Sequence, residues 1–176
     1  MPGLLRDLAV GRSWRSRLAR GATVLALGGA WVAPTFGLCP PLALYNTTES
    51  VAPGLYLYAH DARSVAPTRG DYVAVRNPPH FDVPWLMKRV VGVEGDTFCW
   101  DPAIGTHRLN GRPMPPPSPE AEAMGLAVWE GCVTLGPGQI VGYGRTPDSY
   151  DSRYRPIGVV DVDRLWGTYR LVWGGP

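Results

Sequence analysis

The segment Trp85-Leu-Met-Lys-Arg-Val-Val-Gly-Val-Glu-Gly-Asp96 joins a run of apolar and β-branched residues to a Glu-Gly-Asp turn. This pattern predicts a strand that ends at the turn. Because side chains alternate between the two faces of a strand, Leu86, Lys88 and Val90 fall on one face and Arg89 on the other. The segment therefore predicts a strand that holds one lysine amine among apolar side chains.

Lys88 is the only lysine of the chain, and the other 16 of its 17 basic residues are arginines. An arginine keeps its proton in a protein, whereas a buried lysine can lose it. The single lysine therefore indicates a position that needs an amine. Chance in an arginine-rich composition is the alternative explanation.

Similar short runs recur along the chain and predict a mostly β fold. The predicted strands are residues 54–58, 72–76, 85–93, 97–100, 132–135, 139–143 and 165–173. Asn110-Gly111 predicts a tight hairpin, and the proline-rich residues 113–119 predict an extended spacer before a helical turn at 120–124. The 22 glycines and 19 prolines argue against a helix bundle. We expect one antiparallel, barrel-like domain.

The N-terminal part of the chain differs in composition from the rest. Residues 1–20 contain five arginines and one aspartate, and residues 21–48 contain no charged residue. Residues 21–39 are about as long as the ~20 residues that span a bilayer core. With arginines on one side only, this pattern predicts a cytoplasmic segment at 1–20, a transmembrane anchor at 21–41 and an exported domain at 42–176.

Two other interpretations of the apolar segment remain open. A cleaved signal peptide could end at Ala33, although Pro34 directly after it disfavours the cut, and a buried core helix is the third possibility. Both the anchor and the signal peptide place the domain across the inner membrane, in the periplasm.

Cysteine, histidine and charge patterns narrow the possible chemistry. In an oxidising compartment Cys99 and Cys132, each at the end of a predicted strand, could form a disulfide, which leaves Cys39 unpaired. The three histidines are scattered and no cysteine pair has metal-ligand spacing, so we expect no metal site and no cofactor. A net charge of +2 gives no case for nucleic-acid binding.

A hydroxyl nucleophile with a lysine base remains as the chemistry that this inventory supports. Such a base must lose its proton near neutral pH, so its pKa must fall from about 10.4 to about 8, which corresponds to ~3 kcal/mol. Lys88, among apolar neighbours, meets that demand. Ser50 is the serine candidate, although a serine before Val-Ala-Pro is also an ordinary turn residue.

Four segments of the chain resemble, in the same order, the conserved boxes of type I signal peptidases. They are Ser50-Val-Ala-Pro53, Arg69-Gly-Asp-Tyr-Val73, Lys88-Arg-Val-Val-Gly-Val-Glu-Gly-Asp96 and Ser149-Tyr-Asp-Ser-Arg-Tyr154. The resemblance covers nearly the whole exported domain and implies a signal-peptidase-type fold and a serine endopeptidase.

Within that family the chain is most similar to the conjugative-transfer peptidases called TraF, which process the pilin precursor of a plasmid transfer apparatus and in some systems circularise it. Asn46-Thr-Thr-Glu-Ser50 followed by Gly54-Leu-Tyr56 carries this likeness, as does the small size. Val51, Gly54 and Thr146-Pro-Asp148 depart from the pattern of housekeeping signal peptidases.

The resemblance implies roles for individual residues. Ser50 would attack the scissile carbonyl and Lys88 would act as general base and then general acid. The Ser50 backbone N–H and the Thr48 hydroxyl would form the oxyanion hole. Ser149 would orient the Lys88 amine.

The last box also implies a supporting ion pair. Asp151 would pair with Arg153 and with Arg89, and in the TraF group the matching aspartate is needed for activity. A polar turn closed by an ion pair is the structural alternative, and it is compatible with that role.

Together these patterns predict a membrane-anchored endopeptidase that cleaves, and could also cyclise, a conjugative pilin precursor. The expected partners are a pilin or secretory precursor, the lipid bilayer through residues 21–41, and a conjugation or secretion machinery. A general leader peptidase and a non-catalytic scaffold of a secretion channel remain alternatives.

Overall fold

A computed structural model describes residues 39–76 and 83–174. The basic segment at 1–20 and residues 21–38 of the expected anchor lie outside the described residues, so those predictions stay predictions. Within the described ranges, no helix is both long and apolar enough to cross a bilayer.

The described chain is built from short strands that belong to a compact unit of residues 42–176. The strands are β1 (Ala43–Asn46), β2 (Gly54–His60), β3 (Tyr72–Arg76), β4 (Trp85–Gly92), β5 (Thr97–Asp101), β6 (Thr106–Leu109), β7 (Arg112–Pro113), β8 (Cys132–Thr134), β9 (Gln139–Tyr143), β10 (Val160–Asp161) and β11 (Leu165–Gly174). One helix, α1 (Pro119–Ala123), follows the proline-rich spacer, and a 3-10 turn covers Val162–Arg164.

The strands form two antiparallel sheets. The larger has seven strands in the order β1-β2-β11-β3-β4-β9-β10, and the smaller has four in the order β7-β6-β5-β8. Neither closes on itself, because β1 and β10 end the larger sheet without pairing with each other. The mostly β, antiparallel prediction is confirmed, and the barrel-like part of it is wrong for the described residues.

All seven predicted strands are present: the bounds of β3 and β9 match the prediction, and the other five differ at one end by one or two residues. The Asn110-Gly111 hairpin is also confirmed, since both residues have positive φ angles, 52° and 77°, in the turn between β6 and β7. The flanking strands β6 and β7 are not among the predicted strands, and neither are β1 and β10.

Both faces of the larger sheet are covered, which is why β4 lies in the interior. Leu86 and Val90 of β4 pack in one apolar cluster, whereas Met87 packs in a second cluster on the other face. A third apolar cluster, around Phe98, packs against the smaller sheet and includes Val141 of β9. The predicted alternation along β4 is therefore present in the packing.

Cys99 and Cys132 face each other as register partners on β5 and β8. The structure joins them by a disulfide that links positions 33 residues apart, with 3.9 Å between the Cα atoms. Cys39 is free and half-buried. The disulfide ties the edge strand β8 to the rest of the smaller sheet.

Candidate active site

Ser50 lies in the loop that connects β1 to β2. The two strands pair up to Asn46 opposite Gly54, so residues 47–53 must turn within a short span. Val51 and Ala52 are buried and anchor the loop, while Ser50 is half-exposed. The Ser50 carbonyl accepts a 2.7 Å hydrogen bond from the Arg145 backbone N–H, which ties the loop to the segment after β9.

Lys88 lies in the middle of β4, opposite Val73 of β3. Its side chain is only 3% exposed. Burial lowers the pKa of Lys88 to about 8; the negative charge of Asp151 opposes the shift, and the positive charge of Arg153 adds to it. The amine can therefore be neutral in an appreciable fraction of molecules at mildly alkaline pH.

Two glycines make room for Lys88 and for Ser149. A Cβ on Gly142 would lie 3.2 Å from the Lys88 Cβ. A Cβ on Gly144 would lie 1.9 Å from the Ser149 Oγ and 3.2 Å from the Ser50 carbonyl oxygen. The absence of a side chain at Gly142 leaves room for Lys88, and its absence at Gly144 lets Ser149 and the Ser50 loop pack against the chain directly after β9.

Ser50 and Lys88 both line one cleft of about 370 Å³. The remaining lining residues are Thr48, Glu49, Leu86, Thr146, Asp148, Ser149 and Tyr150. The nucleophile loop, the centre of β4 and the segment after β9 thus meet at one opening to solvent.

Ser149 is a polar side chain that is buried within this lining. It is 3% exposed, and its Oγ has no hydrogen-bond partner among the described residues. A buried hydroxyl without a partner is costly and calls for an explanation. Ser149 and Lys88 line the same cleft, so the Lys88 amine is the candidate partner for this hydroxyl.

Asp151 and Arg153 form an ion pair from which solvent is excluded, since both side chains are 0% exposed. Asp151 Oδ2 accepts a 2.6 Å hydrogen bond from an Arg153 terminal nitrogen and a 2.7 Å bond from the Gly144 backbone N–H. The guanidinium also donates to the carbonyls of Thr146 at 2.7 Å and Pro116 at 3.1 Å. The pair therefore fixes the loop that carries Ser149.

Thr48 is an exposed residue at the mouth of the cleft. Its hydroxyl donates a 2.8 Å hydrogen bond to Asn46 Oδ1. Thr48 and Ser50 lie in the same tight loop, and both residues line the cleft.

Comparison with known protein families identifies the family of this chain. Residues 17–174 match the family model described as "Signal peptidase, peptidase S26". The chain belongs to the signal peptidase family. It is a serine endopeptidase, and signal peptidases act on precursor proteins.

A similarity to a solved structure is also found. A signal peptidase I from Enterococcus faecalis V583 is 23% identical, and the alignment covers 58% of this chain and 95% of that chain with a TM-score of 0.37. The search among curated proteins found no match.

One expected contact of the peptidase is not formed. The sequence predicts a pairing of Arg89 with Asp151, but Arg89 is exposed, whereas Asp151 is fully buried and pairs with Arg153. The Arg89 guanidinium lies beside Gly70, with a terminal nitrogen 3.8 Å from where a Cβ on that glycine would stand. Alternation explains the result, because Arg89 follows Lys88 on the strand and faces away from the cleft.

Gly142 and Gly144 are part of the peptidase site but are not among its predicted residues. The available signal was two glycines at alternate positions in the strand-like run Val141-Gly-Tyr-Gly144, a pattern that indicates close approach of another group. In residues 39–76 and 83–174 no three His, Cys, Asp or Glu side chains converge as a metal site would require.

Proposed function

We propose that this peptidase cleaves its substrate through an acyl-enzyme formed by Ser50, with Lys88 as the base. The observation that carries the proposal is the shared cleft, in which a buried lysine with a pKa of about 8 lies with a half-exposed serine. Neither burial nor a serine alone would support it, since both features are common in structural positions.

The chemistry follows from these two groups. The Ser50 Oγ adds to the scissile carbonyl while the neutral Lys88 amine takes the hydroxyl proton. The tetrahedral intermediate then collapses, the C–N bond breaks, and the lysine returns the proton to the leaving amine. Water, or an amine, next attacks the ester and restores the Ser50 hydroxyl.

The remaining residues would support this reaction from fixed positions. The Ser50 backbone N–H and the Thr48 hydroxyl would stabilise the oxyanion. The Ser149 hydroxyl, which is buried and unpartnered among the described residues, would accept a hydrogen bond from the Lys88 amine. Asp151 and Arg153 would act through the loop that they hold.

We also propose that the substrate is a conjugative pilin precursor. The support is the TraF-like pattern at residues 46–56, including Gly54, where a housekeeping enzyme has Thr or Ser. Gly54 has a φ of 150°, and a Cβ there would lie 2.2 Å from the Trp173 carbonyl oxygen. The position therefore excludes a side chain. If the pilin's own amine resolves the ester, the product is a ring.

A general leader peptidase is the second candidate, and membership of the family favours it equally. The test supplies a pilin precursor and a secretory precursor in parallel to the detergent-solubilised full chain, with the Ser50→Ala variant as control. Cleavage of the pilin precursor alone supports the first candidate. Cleavage of both supports the second, and no Ser50-dependent cleavage supports a non-catalytic scaffold.

We further propose that residues 21–41 anchor the enzyme in the inner membrane with its cleft on the periplasmic side. The support is the arginine-rich segment before the uncharged run. Reporter fusions after residue 20 and after residue 176 test the topology. The expected result is a cytoplasmic report from the first and a periplasmic report from the second.

A further inference from the structure

Asn46 contacts the nucleophile loop at several points. It is the last residue of β1, pairs across the hairpin with Gly54, and is half-buried. Its Oδ1 accepts hydrogen bonds from the Thr48 backbone N–H at 3.2 Å and from the Thr48 hydroxyl at 2.8 Å. Its Nδ2 donates to the carbonyls of Thr48 at 2.7 Å, Val51 at 3.1 Å and Ala52 at 3.4 Å. One amide therefore holds the loop on both sides of Ser50.

The orientation of this amide is fixed by its partners. The carbonyl oxygens of Thr48 and Val51 can only accept, so they must face the Asn46 NH₂ group. The Thr48 backbone N–H can only donate, so it must face the Asn46 oxygen. An aspartate or a leucine of similar size could not satisfy both sides.

Other contacts hold the loop, but not at the same place. The buried Tyr56 hydroxyl donates a 2.5 Å hydrogen bond to the Ala52 carbonyl, and the Arg145 N–H donates to the Ser50 carbonyl. Both act on the backbone at or after Ser50. Among the described residues, Asn46 is the one hydrogen-bond partner recorded for the Thr48 hydroxyl.

We propose that Asn46 is a positioning residue that places Thr48 for oxyanion stabilisation. The inference rests on the proposed function. The Thr48 hydroxyl can donate one hydrogen bond, and in the free enzyme it donates this bond to Asn46 Oδ1. When the tetrahedral intermediate forms, the Thr48 hydroxyl rotates and donates its hydrogen bond to the oxyanion. Asn46 meanwhile keeps its hydrogen bonds to the Thr48 backbone N–H and carbonyl. Asn46 thus keeps the hydroxyl close to where the negative charge develops.

A double-mutant cycle on the detergent-solubilised full chain tests the proposal, with kcat and KM measured for a precursor substrate. Removing one oxyanion donor with Thr48→Val should lower kcat by about 100-fold. Asn46→Ala should lower kcat by about tenfold or more with little change in KM, because the donor is displaced. Because Asn46 acts through Thr48, Asn46→Ala in the Thr48→Val background should cost less than about threefold.

Two further variants complete the design. Asn46→Asp keeps an acceptor for Thr48 and loses the donor, so it should retain more kcat than Asn46→Ala; it enters the same cycle if the alanine variant does not fold. Asn110→Gly is the matched control. Asn110 also receives a backbone N–H, from Thr97 at 2.8 Å, and donates to Asp96 at 2.7 Å, but in the smaller sheet. It should leave kcat unchanged.

The outcomes separate this proposal from the proposed function. Additive losses in the cycle overturn the role of Asn46, as does a wild-type kcat for Asn46→Ala or for Thr48→Val. In each of those cases an inactive Ser50→Ala variant still leaves the acyl-enzyme chemistry in place. Activity of Ser50→Ala itself overturns both.

Discussion

Gly144 and Ser149 are packed so closely that no side chain fits between them: a Cβ on Gly144 would stand 1.9 Å from the Ser149 Oγ and 2.2 Å from its Cβ. The Gly144 N–H is meanwhile bound to Asp151 at 2.7 Å, so the backbone cannot easily withdraw. A glycine without chemistry of its own therefore sets the position of a cleft hydroxyl.

Gly144→Ala should accordingly displace Ser149 and the Ser50 loop. Overpacking of this kind costs about 1–3 kcal/mol of unfolding free energy, and a displaced Ser149 should lower kcat by about tenfold or more. Urea unfolding and precursor cleavage measure the two effects. Gly136→Ala is the control, since a Cβ there would meet its nearest atom at an ordinary 3.5 Å. Wild-type kcat for Gly144→Ala would contradict the packing argument.

Substitutions of Ser50 and Lys88 should show whether cleavage needs an amine that can lose its proton at position 88, or only a positive charge there. Ser50→Ala, Lys88→Ala and Lys88→Arg should each reduce cleavage to background, because arginine keeps its proton and cannot serve as a base. Single-turnover cleavage of a precursor, with trapping of the acyl-enzyme, is the measurement. The exposed Ser64→Ala should behave as wild type. An active Lys88→Arg enzyme would exclude Lys88 as the base.

The rate of cleavage should rise with pH through about 8. Burial lowers the pKa of Lys88 to about 8, and only the neutral amine accepts the Ser50 proton, so kcat/KM measured on the free enzyme follows the deprotonated fraction. Below that pH the rate should fall about tenfold for each pH unit. The profile is measured from pH 6 to 10 with one precursor, and a flat curve is incompatible with a lysine base.

Local patterns were sufficient for the strands and insufficient for how they assemble. The runs at β3 and β4 carry their own apolar and turn signals, and the alternation around Lys88 could be predicted from three residues. That β11 inserts between β2 and β3, leaving an open sheet, depends on pairings between residues about 90 or more positions apart. No local pattern encodes such pairings.

The residues of the candidate site also fall into those that short motifs predict and those whose role depends on the assembled fold. Ser50, Lys88 and Ser149 could be proposed from short motifs, because their chemistry is visible in the residue types. Asn46 could not, because its importance comes from the shape of the β1–β2 loop. The glycines at 142 and 144 indicate only that some group comes close, and the identity of that group depends on β9 lying beside β4. The predicted contact of Arg89 failed because strand alternation turns it away from Asp151.

The cost of holding Lys88 away from water should appear in stability. A lysine has a pKa of 10.5 in water and about 8 here, so the folded state resists a proton that the unfolded state accepts. Unfolding free energy should therefore rise with pH between about 8 and 10.5, and the penalty, about 3 kcal/mol, should be fully present below pH 8.

Lys88→Met removes that titration and isolates the penalty. The inactive variant should be more stable than wild type at pH 7, by up to about 3 kcal/mol, and the difference should shrink towards pH 10. Chemical denaturation at pH 7, 8.5 and 10 provides the comparison. If the variant is less stable than wild type at pH 7, desolvation of the Lys88 charge does not destabilise the folded state.

Replacing both members of the buried Asp151–Arg153 pair should lower the unfolding free energy less than replacing one member alone. Asp151→Asn leaves the Arg153 guanidinium buried without its counter-charge and should cost about 3–5 kcal/mol, together with activity, because the Ser149 loop loses its anchor. Asp151→Asn combined with Arg153→Met removes both charges and should recover part of the stability but not the activity. Arg155→Met, which breaks the exposed pair with Glu130, should change stability by no more than about 0.5 kcal/mol. Urea denaturation with parallel cleavage assays gives both quantities, and a double variant that is both as unstable as Asp151→Asn and as active as wild type would show that the pair holds the fold rather than the cleft.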